Sequence, residues 1–217
     1  MLLKYIAHST FCLTSSTGTK ILTDPYEPGC FDNALAYGPI NKLVDAITIS
    51  HSHVDHSYIA PEHAQAKVFK TPGKYNFNDI EIFGLQVFHD EHNGKDRGSN
   101  IIFRITIDDI IVCHLGDLGH ILNKETIEVI GPVDVLLIPV GGVYTIDNVA
   151  ATTIMQTISP KICIPMHYKT NLVAFPLNPV EYFTKNKNNV TIMKNCEIEL
   201  SKKQLPQTTE ILVLCNN

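Results

Sequence analysis

Residues 50–56 read SHSHVDH, directly after the apolar run DAITI at Asp45–Ile49. Three histidines and an aspartate fall within seven residues at the end of a short, β-branched stretch. A continuous apolar run of this length reads as a strand buried on both faces. In extended chain, side chains two apart point the same way, so His51 and His53 can grip one ion together. Asp55 and His56 lie past the turn and can serve a second ion.

Strand-like runs surround this segment. Leu2–Ala7, Phe11–Thr14 and Lys20–Thr23 form an antiparallel meander, with Ser15–Gly18 as a hairpin turn and Asp24-Pro25 as its stop. Residues 25–42 carry Pro and Gly without a period and read as a loop. Downstream, strands are expected at Lys67–Lys70, Ile80–Phe83, Leu85–Phe88, Ile101–Ile107 and Ile110–Leu115, the last two joined at Asp108-Asp109. The pattern then alternates: helix Asn123–Ile130, strand Val135–Pro139, helix Asp147–Ile158 with Asp147 as N-cap, and strand Ile162–Met166. A short helix over Pro179–Asn186 and strands near Val190–Met193, Glu197–Leu200 and Ile211–Leu214 complete it. No repeat or linker interrupts the chain, so residues 1–217 are expected to form one α/β domain, two sheets flanked by helices.

The composition is 44% apolar and 18% charged, which is globular. With a net charge of −5, 17 Lys+Arg and no basic run, a nucleic-acid partner is not expected. No window approaches the ~18 apolar residues of a membrane span, and Met1–His8 is too short in apolar content for a signal peptide. The six scattered cysteines include no Cys-x-x-Cys; Cys12, Cys113 and Cys163 read as buried core thiols. These features give the expectation of a reduced, cytoplasmic protein with a small-molecule substrate and no membrane insertion; a homo-oligomer is left open.

Metal-type side chains recur wherever a buried strand ends. His89-Asp90-Glu91-His92 follows Leu85–Phe88, Gly116-Asp117 follows Ile110–Leu115 between His114 and His120, and His167 follows Ile162–Met166. Imidazole and carboxylate suit hard or borderline dications, and there are enough of these groups for two ions.

This arrangement resembles the metallo-β-lactamase superfamily, whose His-x-His-x-Asp-His signature His51, His53, Asp55 and His56 match without a gap. The resemblance extends to HSTF at His8–Phe11, LTDP at Leu22–Pro25, HLGD ending at Asp117, and PMHY with His167. It looks closest to the branch of ascorbate-phosphate lactonase-like and N-acylphosphatidylethanolamine phospholipase-like hydrolases. It implies a four-layer αβ/βα sandwich with the site at one rim. It also implies two divalent ions, Zn2+ foremost, with Mn2+ and Fe2+ as alternatives. His51, His53 and His89 would hold the first ion, Asp55, His56 and His167 the second, and Asp117 would bridge them. A bridging hydroxide would then attack an ester, lactone or phosphodiester of a small anionic substrate, with Asp55 accepting a proton. The competing readings are a mononuclear iron oxidoreductase on the same fold and a non-catalytic metal-binding protein.

Around this set the roles differ. The resemblance makes Asp24 a buried carboxylate that orients a ligating histidine. His89 is preferred to His92 as ligand because it comes directly off the strand, which leaves His92 to line the cleft. His8 is expected near the site, His114 in the core, His120 at the cleft or the surface, and His63 on the surface. Arg97, in RGSN with Asn100, is a candidate for binding an anionic group. The Gly141-Gly142 pair lacks a following Gly-Lys-Ser/Thr, so it is no P-loop; it lets the backbone pass close to the site, with Tyr144 as a substrate contact.

Overall fold

The computed structural model describes residues 1–215. Its strands are β1 (Leu2–Ala7), β2 (Thr10–Thr14), β3 (Lys20–Thr23), β4 (Ala46–Thr48), β5 (Lys67–Phe69), β6 (Gly73–Phe77), β7 (Ile80–Phe88), β8 (Ser99–Ile107), β9 (Ile110–His114), β10 (Val135–Pro139), β11 (Ile162–Met166), β12 (Val190–Ile192), β13 (Glu197–Glu199) and β14 (Glu210–Val213). One sheet runs β13-β1-β2-β3-β4-β5 and the other β12-β14-β11-β10-β9-β8-β7-β6. Both are mixed. β3, β4 and β5 are parallel in the first, and β9, β10, β11, β14 and β12 in the second.

The two-residue side-chain period of β10 shows how the layers stack. Val135 and Leu137 face the first sheet and pack with Leu3, Phe11, Phe103 and Ile164. Leu136 and Ile138 face the other way, onto Ile154, Met155 and Phe183 of the helices. All five β10 residues are buried, as a doubly covered parallel strand requires. Truncating one of these leucines to Ala would cost about 2–5 kcal/mol. The outer face of the first sheet, with Cys12, Leu22 and Ile47, packs under Tyr26, Leu35, Tyr37, Val173 and Leu177. The Pro- and Gly-punctuated loop 25–42 and the segment 172–177 therefore form that outer layer. The two-sheet sandwich is the one the sequence implies, with loop where helix was expected outside the first sheet.

Local signals hold where they are strong. Asp147 caps the helix Asn148–Ile158 through its side chain, accepting from the Val149 and Ala150 amides. Asp108 and Asp109 both have positive φ, the two-residue turn a tight hairpin needs. Two expectations change. β7 is one strand through Gly84, which pairs with Phe103 inside the ladder, so no break occurs there. β6 was not foreseen; its exposed alternate residues and leading glycine hide a strand that exists by pairing with β7. Cys12, Cys113 and Cys163 are buried, and no disulfide joins the cysteines among the described residues.

Candidate metal centre

Seven segments bring side chains to one rim, each from the carboxyl end of a strand. β1 leads into His8, β3 into Asp24, β4 into Ser50–His56, β7 into His89, β9 into Leu115–Asp117, β10 into Gly141 and β11 into His167. Ligands favour this end of sheets built from parallel strands. The rim is also where backbone strain collects: His8, Asp24 and His167 have φ of 55°, 39° and 52°. Such left-handed non-glycine residues cost about 1–3 kcal/mol each and persist where surrounding structure over-determines them.

Donor atoms at this rim form two main sets, which a third group of Asp24, His51 and His56 overlaps. One atom from each of His51, His53 and His89 lies within 4.8 Å of the others, and a second set unites His8, Asp55, His56 and His167. Asp117 sits between them. Its Oδ2 lies 3.3 Å from His89 Nε2, 3.3 Å from His167 Nε2 and 3.9 Å from His51 Nε2, while its Oδ1 lies 3.3 Å from His56 Nε2. His56 Nε2, Asp117 Oδ1 and Asp55 Oδ1 are buried without a hydrogen-bond partner. Buried polar atoms rarely stay unpaired, so these atoms fit a cation among them.

A second layer of contacts aims the donors. Asp24 Oδ1 accepts the Ser50 amide (2.8 Å), and its Oδ2 accepts the Ser50 hydroxyl and faces His56 Nδ1 at 3.0 Å. Holding Nδ1 against a carboxylate puts its proton there and leaves the Nε2 lone pair facing Asp117. Asn100 accepts the Asp117 amide (3.0 Å) and donates to the Leu115 carbonyl (2.8 Å), fixing the turn that carries Asp117. A Cβ at Gly119 would lie 2.2 Å from the His89 carbonyl carbon, and one at Gly141 2.2 Å from the His167 carbonyl oxygen. These two glycines let neighbouring loops press against the backbone that carries His89 and His167.

The electrostatics favour a ligand state. Burial pushes the His51 imidazole down to about 3 and His8 to about 4, and also lowers His89. Burial opposes ionisation of Asp117, but the facing His167 and His56 outweigh it and hold the carboxyl well below its ordinary range. His56 goes the other way: burial pulls it down, yet Asp117 and Asp55 raise it well above the usual histidine value. Neutral imidazoles with ionised carboxylates are what a dication binds. A histidine driven to protonate among carboxylates marks a demand for positive charge at that point.

The anticipated residues are not all drawn in. His92 is exposed and pairs with Asp96, away from the cavity lining. It sits on a loop folded around Asp90, which accepts the amides of His92, Gly94, Asp96 and Arg97. His120 accepts the Phe88 amide and contacts the Ile121 carbonyl, so it braces the β7 end and does not line the cleft. His63 is buried, with Nε2 2.7 Å from the Lys42 carbonyl, because the loop 25–42 folds over it; the polar sequence around it suggested surface. His114 is buried between the Ser9 carbonyl and the Gly116 amide, as expected of a core histidine. His8, expected nearby, touches Asp55 Oδ2 at 3.2 Å.

A cavity of about 300 Å³ opens onto the donors, lined by His53, Asp55, His89, Asp117 and His167. Arg97 and Tyr144 also line it, as do Phe31 and Phe175, two aromatics the sequence did not mark. Both come from irregular loops, which carry no period to expose them. Ser50, whose amide and hydroxyl hold Asp24, was equally unmarked, although it opens the SHSHVDH stretch.

Comparison with known proteins agrees with this geometry. Residues 2–167 match the family model for the beta-lactamase superfamily domain. A relative from Staphylothermus marinus, named UPF0173 metal-dependent hydrolase, is 30% identical over 196 residues, 78% of this chain and 84% of that protein. One from Thermococcus onnurineus with the same name is 27% identical over 222 residues, 90% of this chain and 97% of its own. A crystal structure from Thermotoga maritima, assigned as a Zn-dependent hydrolase of the metallo-beta-lactamase superfamily, superposes with a TM-score of 0.77 at 33% identity, covering 98% of this chain and 97% of that one. The metallo hydrolase Igni18 of Ignicoccus hospitalis gives a TM-score of 0.62 at 25% identity, over 81% of this chain and 84% of its own. With the family model spanning residues 2–167 and a 33% identical superfamily structure covering 98% of the chain, this protein belongs to the metallo-β-lactamase superfamily.

Proposed function

We propose that this protein is a dinuclear metal-dependent hydrolase of small anionic esters, lactones or phosphodiesters. The observation that carries the reading is Asp117, whose two oxygens face histidines of both donor sets at 3.3–3.9 Å. His51, His53 and His89 would hold one ion, Asp55, His56 and His167 the other, and Asp117 both. Two divalent ions there, Zn2+ foremost, supply an acidified water and an electrophile for the substrate oxygen.

The chain's own residues do the rest. Asp24 fixes the His56 tautomer, and Asn100 holds the Asp117 turn. Burial opposes the charge on Asp55, but His56 and His8 hold the carboxylate ionised, the state in which it can ligate the second ion through the Oδ1 that lacks a partner. Arg97 at the cavity edge offers guanidinium donors to an anionic group.

The test is elemental mass spectrometry of protein purified without chelator or added metal, followed by an ester, lactone and phosphodiester panel. About two equivalents of zinc or manganese with turnover support the reading. One equivalent of iron, or no uptake on titration, overturns it.

A further inference from the structure

Two features of the site extend beyond the donor groups. The first is an aromatic wall. Phe175 lies edge-on to Phe31 (ring centroids 5.4 Å apart) and to Tyr144 (5.7 Å). Phe31 is half exposed at the mouth, on a run in which Phe31, Asp32 and Asn33 all have positive φ. A large apolar ring held out to solvent by three left-handed residues is costly unless something packs on it. Tyr144 follows a second strained turn, where β-branched Val143 has a φ of 62°.

The second feature is a cationic cavity next door. It encloses about 500 Å³ and shares His53 and Arg97 with the first. Ser52, Ser57, Ser99 and Lys70 line it, and no carboxylate does. Arg97 is held at the junction by the Tyr144 ring, 5.7 Å from its guanidinium carbon, and by the Val143 carbonyl at 3.3 Å. Among the described residues neither Arg97 nor Lys70 has an acidic partner. Ser50 and Ser57 spend their hydroxyls on Asp24 and on the Ser52 and His53 carbonyls, which leaves two cations without an acidic partner and the Ser52 and Ser99 hydroxyls lining one space, a site for an anion.

We infer that the substrate is amphipathic and lies across the donor groups. Its ring-sized apolar part packs on Phe31, Tyr144 and Phe175, and its carboxylate or phosphate occupies the cavity between Arg97 and Lys70. This rests on the hydrolase reading for the reaction but not for the binding. An apolar contact of this size and an anion held by two cations each contribute affinity separately.

The test measures binding to the zinc-loaded full chain by calorimetry, with 4-phenylbutanoate, butanoate and 4-phenylbutanol as probes. The expected result is that 4-phenylbutanoate binds at least about tenfold tighter than either of the others. F175A should remove the preference over butanoate. R97Q and K70Q should each weaken the preference over the alcohol. Equal affinities, no binding of any probe, or preferences untouched by these variants would overturn the inference. If the preferences hold and no ester, lactone or diester is turned over, the hydrolase reading fails alone; turnover without them sinks this inference alone.

Discussion

Replacing Asp24 with Asn changes one atom and sets two hydrogen-bond demands against each other. Three donors converge on this carboxylate: the Ser50 amide, the Ser50 hydroxyl and His56 Nδ1. An amide offers one acceptor oxygen. If that oxygen keeps the Ser50 amide, the new NH2 faces the Ser50 hydroxyl and His56. The hydroxyl can rotate to accept, but His56 must then present an unprotonated Nδ1 and carry its proton on Nε2. That proton would point at Asp117 Oδ1, 3.3 Å away, where a cation would otherwise sit. Losing a buried charge-assisted contact costs about 1–3 kcal/mol. Removing the partner that orients a metal-binding histidine typically costs about 10–100-fold in metal affinity, or about 1.4–2.8 kcal/mol. The Asp24→Asn protein should therefore fold, unfold at lower urea concentration, and hold zinc about 10–100-fold more weakly in competition with a chromophoric chelator. Ser50→Ala, which leaves the His56 contact intact, should lose less affinity. Native zinc affinity in a folded Asp24→Asn protein would refute the claim that this carboxylate sets the His56 tautomer.

Asp117→Ala should lose metal by more than about 100-fold and turnover with it, whereas His92→Ala, on an exposed side chain, should change either by no more than about twofold; metal content and the ester panel separate the two. Gly141→Ala puts a methyl 2.2 Å from the His167 carbonyl oxygen and should cost about 1–3 kcal/mol by thermal denaturation, while Gly38→Ala, with no atom within 4 Å of its Cβ, should stay within about 0.5 kcal/mol. His8 is lowered to about 4, by burial first and by His167 next. Its neutral form then contributes stability that is complete above the ordinary value of about 6.5 and is lost as pH falls toward 4. Histidine NMR of the metal-free protein should find this ring neutral at about pH 5.5; half-protonation near 6.5 would show that burial does not govern it.

What the sequence determined by itself is the part written in local spacing. A short apolar run ending in His51, His53, Asp55 and His56 specifies both a doubly buried strand and a paired donor set, because side-chain direction in extended chain has a period of two. The same logic picked His89 over His92: one comes straight off β7, the other lies past it on a loop ordered by Asp90. The tertiary structure decided everything that depends on which strand ends meet. The strand order of the first sheet brings His8, after β1, near Asp55, after β4, and the stacking of the two sheets seats Asp117 between donor sets that come from four other segments. It buries His63 under a distant loop although its neighbours in sequence are polar. It also brings Phe31 and Phe175, some 140 residues apart, onto one wall. Loop residues carry no periodic signal, and their meeting is fixed by the packing of the layers beneath them.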